Sequence, residues 1–165
     1  MGVALWLGRP PAARAAPPLV HAHDVVAQQG LEAWWRPGDL LLVATGPSGR
    51  EAWRPLADDP SPHPAPPALP GWTRVGAACA PAPTAAFTLA GKPARAWISG
   101  PPAAPEVRVE RDGVPVAAAT LGQPASVCAL HVGEADAVPG LEIVVTWTVG
   151  GLQGLTVLRV PEVAH

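Results

Sequence analysis

His21-Ala22-His23-Asp24 is the arrangement nearest to a reactive one. Alternate residues of a strand project to one face, so His21 and His23 could present two imidazoles to a single metal ion. A third ligand would have to come from His63, His131, His165 or a carboxylate, and no zincin-type or metallohydrolase spacing supplies it. These are therefore read as loop histidines, with a metal-dependent enzyme built on His21 and His23 as an alternative. The nucleophile candidates Ser48, Ser61, Ser99, Ser126, Cys79 and Cys128 lie outside any G-x-S-x-G elbow or cysteine-protease signature. Gly46-Pro47-Ser48-Gly49-Arg50 lacks the Gly-Lys-Ser/Thr ending of a phosphate loop and reads as a turn. Asp58 and Asp59 enter a proline-rich stretch and are read as solvated rather than as an acid/base pair. With no acid, base and nucleophile brought together, the reading is a non-enzyme without a cofactor.

Binding chemistry has one better source. The chain holds seven tryptophans, one phenylalanine and no tyrosine. An exposed indole stacks on sugar rings or anchors an interface. Trp147, on the apolar face of an alternating stretch, belongs to the core. Trp34 and Trp35 point to opposite faces if they lie in a strand, which leaves one of them free for binding. Trp6, in a proline-rich arm with no core of its own, is the leading interface candidate. Composition tempers this: Asn and Tyr are absent, Phe87 and Lys92 are single occurrences, and Ala, Gly, Pro and Arg abound, as a GC-rich genome would produce. Tryptophan is the aromatic residue favoured by such a genome.

Charge narrows the partners. A formal net charge of −2 and a pI near 6.2 leave no basic footprint for nucleic acid or anionic lipid. The longest apolar runs, such as Leu40 to Ala44, fall far short of a membrane span. At the N-terminus the apolar run is broken by Arg9-Pro10-Pro11 and no cation precedes it, so no Sec signal is expected. This reading has the chain made in the cytoplasm, with release in a particle or virion one possible fate.

The elements that would position these residues are mainly strands. Residues 1–19 carry Pro10, Pro11, Pro17 and Pro18 and read as an extended arm. Asp24 to Trp35 admits a short helix capped by Asp24 and stopped at Pro37-Gly38, or a strand at Leu31 to Trp35 turning into a buried strand at Leu40 to Thr45. Residues 20–58 form a small β-rich subregion that must pack on the main domain or a partner. Residues 59–71 (DPSPHPAPPALPG) hold too many prolines for a helix interior or central strand and form a linker or surface loop.

Residues 72–165 carry the strongest pattern. Val107 to Val116 is a hairpin turned by Asp112-Gly113, with Pro115 on an edge. Leu141 to Val149 alternates, with Leu141, Ile143, Val145, Trp147 and Val149 on one face and Glu142, Thr146 and Thr148 on the other. Cys79 and Cys128 read as small buried thiols, with one disulfide as the alternative. Cys79, Trp97 and Cys128 follow the order of the immunoglobulin Cys-Trp-Cys core, but Ser126 stands where that fold carries a tyrosine, so no family is assigned.

The expected fold is all-β, an antiparallel sandwich or barrel with an extended proline-rich arm and at most one short helix. The expected role is structural: a subunit of a homo- or hetero-oligomeric assembly, such as a virion decoration, head or tail component. A carbohydrate-binding or adhesion module using exposed tryptophan is the alternative, with glycan as its partner.

Overall fold

The computed structural model describes residues 19–121 and 126–161. Every regular element among them is a strand: β1 (Val20–Gln28), β2 (Glu32–Arg36), β3 (Asp39–Gly46), β4 (Gly49–Trp53), β5 (His63–Pro64), β6 (Thr73–Val75), β7 (Thr84–Leu89), β8 (Lys92–Ser99), β9 (Glu106–Arg111), β10 (Val114–Thr120), β11 (Ser126–Gly133), β12 (Glu142–Val149) and β13 (Leu152–Arg159). They pair antiparallel in three sheets. A middle sheet has the order β1-β13-β12-β11, a front sheet β10-β9-β8-β7, and a back sheet β5-β4-β3-β2-β6. The expected all-β antiparallel sandwich is present, with a third layer.

The third layer exists because the middle sheet is apolar on both faces. Toward the front, Ile143, Val145, Trp147 and Leu158 pack with Val107, Val109 and Ala117. Toward the back, Val144, Leu155 and Val157 pack with Leu40, Leu42 and Ala44. Fully buried leucines and isoleucines such as Leu42, Ile143 and Leu155 each contribute about 2 kcal/mol relative to exposure. The face of β12 opposite Ile143 is therefore not open to water, and Glu142 on it is 0% exposed.

The back sheet is covered on its outer side as well. Leu41, Val43 and Ala52 lie under Trp34, Ala65, Leu69 and Trp72, so β3 is buried on both faces, which its unbroken apolar run requires. Part of the cover, Ala65 and Leu69, comes from the proline-rich 59–71 stretch. Its two-residue strand β5 pairs with the edge of β4, where Pro64 leaves no gap in a central ladder.

The β9–β10 hairpin forms as the sequence predicts. Asp112 and Gly113 both take positive φ, 53° and 78°, the conformation an Asp-Gly turn provides, and β10 with Pro115 is an edge strand.

Other expectations change. Of the two readings of Asp24 to Trp35 the strand holds and the helix does not: β1 pairs with β13 as far as Gln28, and β2, beginning at Glu32, turns into β3. Cross-strand pairing outweighs the local capping signal. Asp24 accepts a hydrogen bond from Thr156 Oγ1 at 2.7 Å, and Thr156 accepts from Trp147 Nε1 at 3.1 Å. Residues 20–58 thus contribute strands to two sheets, β1 to the middle and β2 to β4 to the back. The cysteines are not separate thiols, because Cys79 and Cys128 form a disulfide that ties the segment before β7 to β11. Beside it Ala80 N–H donates to the Cys128 carbonyl at 3.0 Å. Trp97 does not pack on this bridge as an immunoglobulin core would have it. It is half-buried, with the Arg95 guanidinium 4.6 Å from its ring.

Candidate functional site

The residues singled out in the sequence are dispersed. Trp6 lies outside the described residues. His21 and His23 sit on β1, where backbone register matches them to Leu158 and Val157, two residues on β1 against one on β13. Among the described residues no group of three or more His, Cys, Asp or Glu is placed to hold a metal ion. Trp34 is half-buried in the outer cluster of the back sheet, its Nε1 donating to Glu32 Oε1 at 3.2 Å. Trp35 is half-buried on the opposite side, at the seam with the middle sheet. Asp59 accepts hydrogen bonds from the Ser61 hydroxyl and N–H, which hold its carboxyl below the usual range at the surface. It closes a local turn.

The seam itself gathers the titratable groups whose environment differs most from water. Trp35 Nε1 donates to the Glu134 carbonyl at 2.8 Å, and Gly38 N–H donates to the same oxygen at 2.9 Å. These bonds join the β2–β3 turn to the loop between β11 and β12. The indole lies so close to Gly133 that a Cβ there would fall 2.6 Å from the ring, so glycine is needed for the approach. The His131 ring meets that of Trp35 at a tilt of 51°, with centroids 4.3 Å apart, and burial holds its pKa below the ordinary value.

Under the same loop lies Glu142. Its Oε2 accepts from Ala135 N–H at 3.0 Å, and its Oε1 sits 3.6 Å from Arg159 Nη1. Arg159 Nη2 pairs with Asp136 Oδ2 at 2.6 Å, so one guanidinium serves two carboxyls. Burial pushes the Glu142 carboxyl up to about 7, and the negative charge of Asp136 adds to this, while Ala135 N–H and Arg159 act the other way. As a carboxylate, Glu142 Oε1 has no hydrogen-bond donor. A proton on it would give that oxygen a hydrogen to direct at the Asp136 carboxyl, whose proximity also raises the Glu142 pKa. The group can therefore store a proton, but Glu142 is 0% exposed and cannot hand it to a bound substrate. The sequence reading missed it because alternation placed Glu142 on the second face of a strand, and only the back sheet makes that face dry.

Several clefts open on the surface. One of about 400 Å³ lies over the seam, with Asp39, Arg54, Leu56, Asp136 and Val138 in its walls. Another, of about 330 Å³, lies between the back and middle sheets, bordered by Arg74, Thr146, Gln153 and the disulfide. A third, of about 410 Å³, brings together Trp53, Glu51, Gln28 and Thr45 under a rim of Pro47, Pro60 and Pro62. Trp53 and Glu51 alternate on β4 with the buried Ala52 between them, which puts both on the cleft side. Comparison with protein-family models, with curated proteins and with solved structures finds no match to this chain.

Proposed function

We propose that this protein is a non-enzymatic structural subunit of a homo- or hetero-oligomeric assembly, in the manner of a virion or particle surface component. The observation that supports it is the point at which the proline-rich arm joins the domain. Leu19 is 3% exposed within the front core, and its N–H donates to the Ala118 carbonyl on β10 at 2.9 Å. The attachment point of residues 1–18 is thus fixed beside an edge strand, and an edge strand is a template for pairing with another chain. A segment with four prolines in nineteen residues builds no core of its own, so its use lies in contact with a neighbour. The test is to delete residues 1–18 and measure mass by light scattering alongside thermal stability. Loss of assembly with an unchanged melting temperature is the expected result. Unchanged assembly would remove the reading's main support.

A second reading, glycan binding, draws on the Trp53 cleft. An indole offers an apolar surface to the C–H face of a sugar ring, while Glu51, Gln28 and Thr45 offer partners to its hydroxyls. The two readings can hold together, since a particle surface component can also bind glycans. On a glycan array the intact protein is expected to give signals that Trp53→Ala reduces at least about tenfold, an anchor-sized loss. An array without signal at high protein concentration counts against it.

A further inference from the structure

We propose that Glu142, Asp136 and Arg159 form a proton-operated latch: a proton shared by the two carboxyls holds the 134–141 loop on the middle sheet, and its loss releases that loop and the back-sheet turn clamped to it. This inference is independent of the assembly reading. It starts from the connections of the loop. Ala135 N–H is held by Glu142, and the preceding carbonyl, Glu134 O, holds both Gly38 and Trp35 of the back sheet. A change at Glu142 is therefore one residue from the bonds that fasten the end of the β2–β3 hairpin.

With both carboxyls ionised, two negative charges share Arg159, and the enclosed Glu142 Oε1 has no donor. Leaving such an oxygen dry is unfavourable, and admitting water is the available relief. The neighbouring cleft of about 400 Å³, with Asp136 in its wall, gives water its route. Among the described residues no other group takes over the role of Arg159. On the back sheet, Arg54 and Arg36 are both engaged with Asp39. On β11, burial favours neutral His131, and on the loop Glu134 brings a further acid. On β1 the backbone opposite Arg159 is that of Val20, and His21 is in register with Leu158.

The direction follows from the carboxyl being raised. Its stabilising effect is complete below the unfolded value of 4.5 and is lost as pH rises through about 7. The latch is closed in mild acid and open in mild base.

Hydrogen exchange read by mass spectrometry on the full chain at pH 6 and pH 8, corrected for intrinsic amide rates, tests this. Protection of residues 134–141 and of the 36–40 turn is expected to fall about tenfold at pH 8, with the 106–120 hairpin of the front sheet unchanged. Glu142→Gln, which carries the hydrogen-bonding group without the charge, is expected to keep both segments protected at both pH values. Asp136→Asn, which leaves Arg159 to Glu142 alone, should shrink the pH effect and serves if the first variant does not fold. Equal protection of the wild type at both pH values overturns the latch. So does a loss spread evenly over the front sheet, or a variant with the full wild-type response.

Discussion

His131 and Glu142 show how strongly a side chain's behaviour here depends on which sheet covers it. Both lie on the middle sheet and both are desolvated at its seam with the back sheet, but their linkage to pH runs in opposite directions. Burial lowers the His131 pKa, so its contribution to stability is present above the unfolded value of 6.5 and is lost as pH falls below it. Denaturant unfolding at pH 7 and pH 5.5 is expected to show His131→Gln losing less stability on acidification than wild type. Equal losses would mean that His131 stays accessible to water in the folded chain. Neither behaviour was legible in the sequence, where His131 was one histidine among five and Glu142 one residue of an alternating strand. The signal lay in the unbroken Leu40–Ala44 run: a strand buried on both faces needs a layer on each side of it.

Among the elements, the hairpins were legible and the connections between layers were not. Asp112-Gly113 and Pro37-Gly38 dictate their turns through local backbone preference, and the alternation of Val107 and Val109 fixes which side of β9 faces inward. The pairing of β1 with β13 joins residues more than a hundred positions apart, and no local pattern in Asp24 to Trp35 encodes it. The disulfide was left open in the same way, since spacing alone cannot say whether two cysteines meet. It closes a loop of 49 residues and is expected to stabilise the fold by about 4 kcal/mol through restriction of the unfolded chain. Unfolding midpoints with and without reductant, and for Cys79→Ser with Cys128→Ser, measure this. A change below about 1 kcal/mol would show that the 79–83 segment is held on β11 by its other contacts.

At the scale of the molecule, three stacked sheets leave little of the described chain without a structural task. The proline-rich 59–71 stretch covers part of the back sheet, the back sheet dries the middle sheet, and the front sheet closes the other core. Trp34 and Trp35 lie on opposite sides of the back sheet, as neighbours in a strand must. The proposed contacts with partners draw on the fixed point at Leu19, the β10 edge and the Trp53 cleft. The proposed role as an assembly subunit is tested most directly by the mass of the intact chain, measured by light scattering across a concentration series. A defined oligomer that persists on dilution and is lost on removal of residues 1–18 is the predicted result. A monomer at every concentration, 16.8 kDa for the intact chain, with no change of state when those residues are removed, would contradict it.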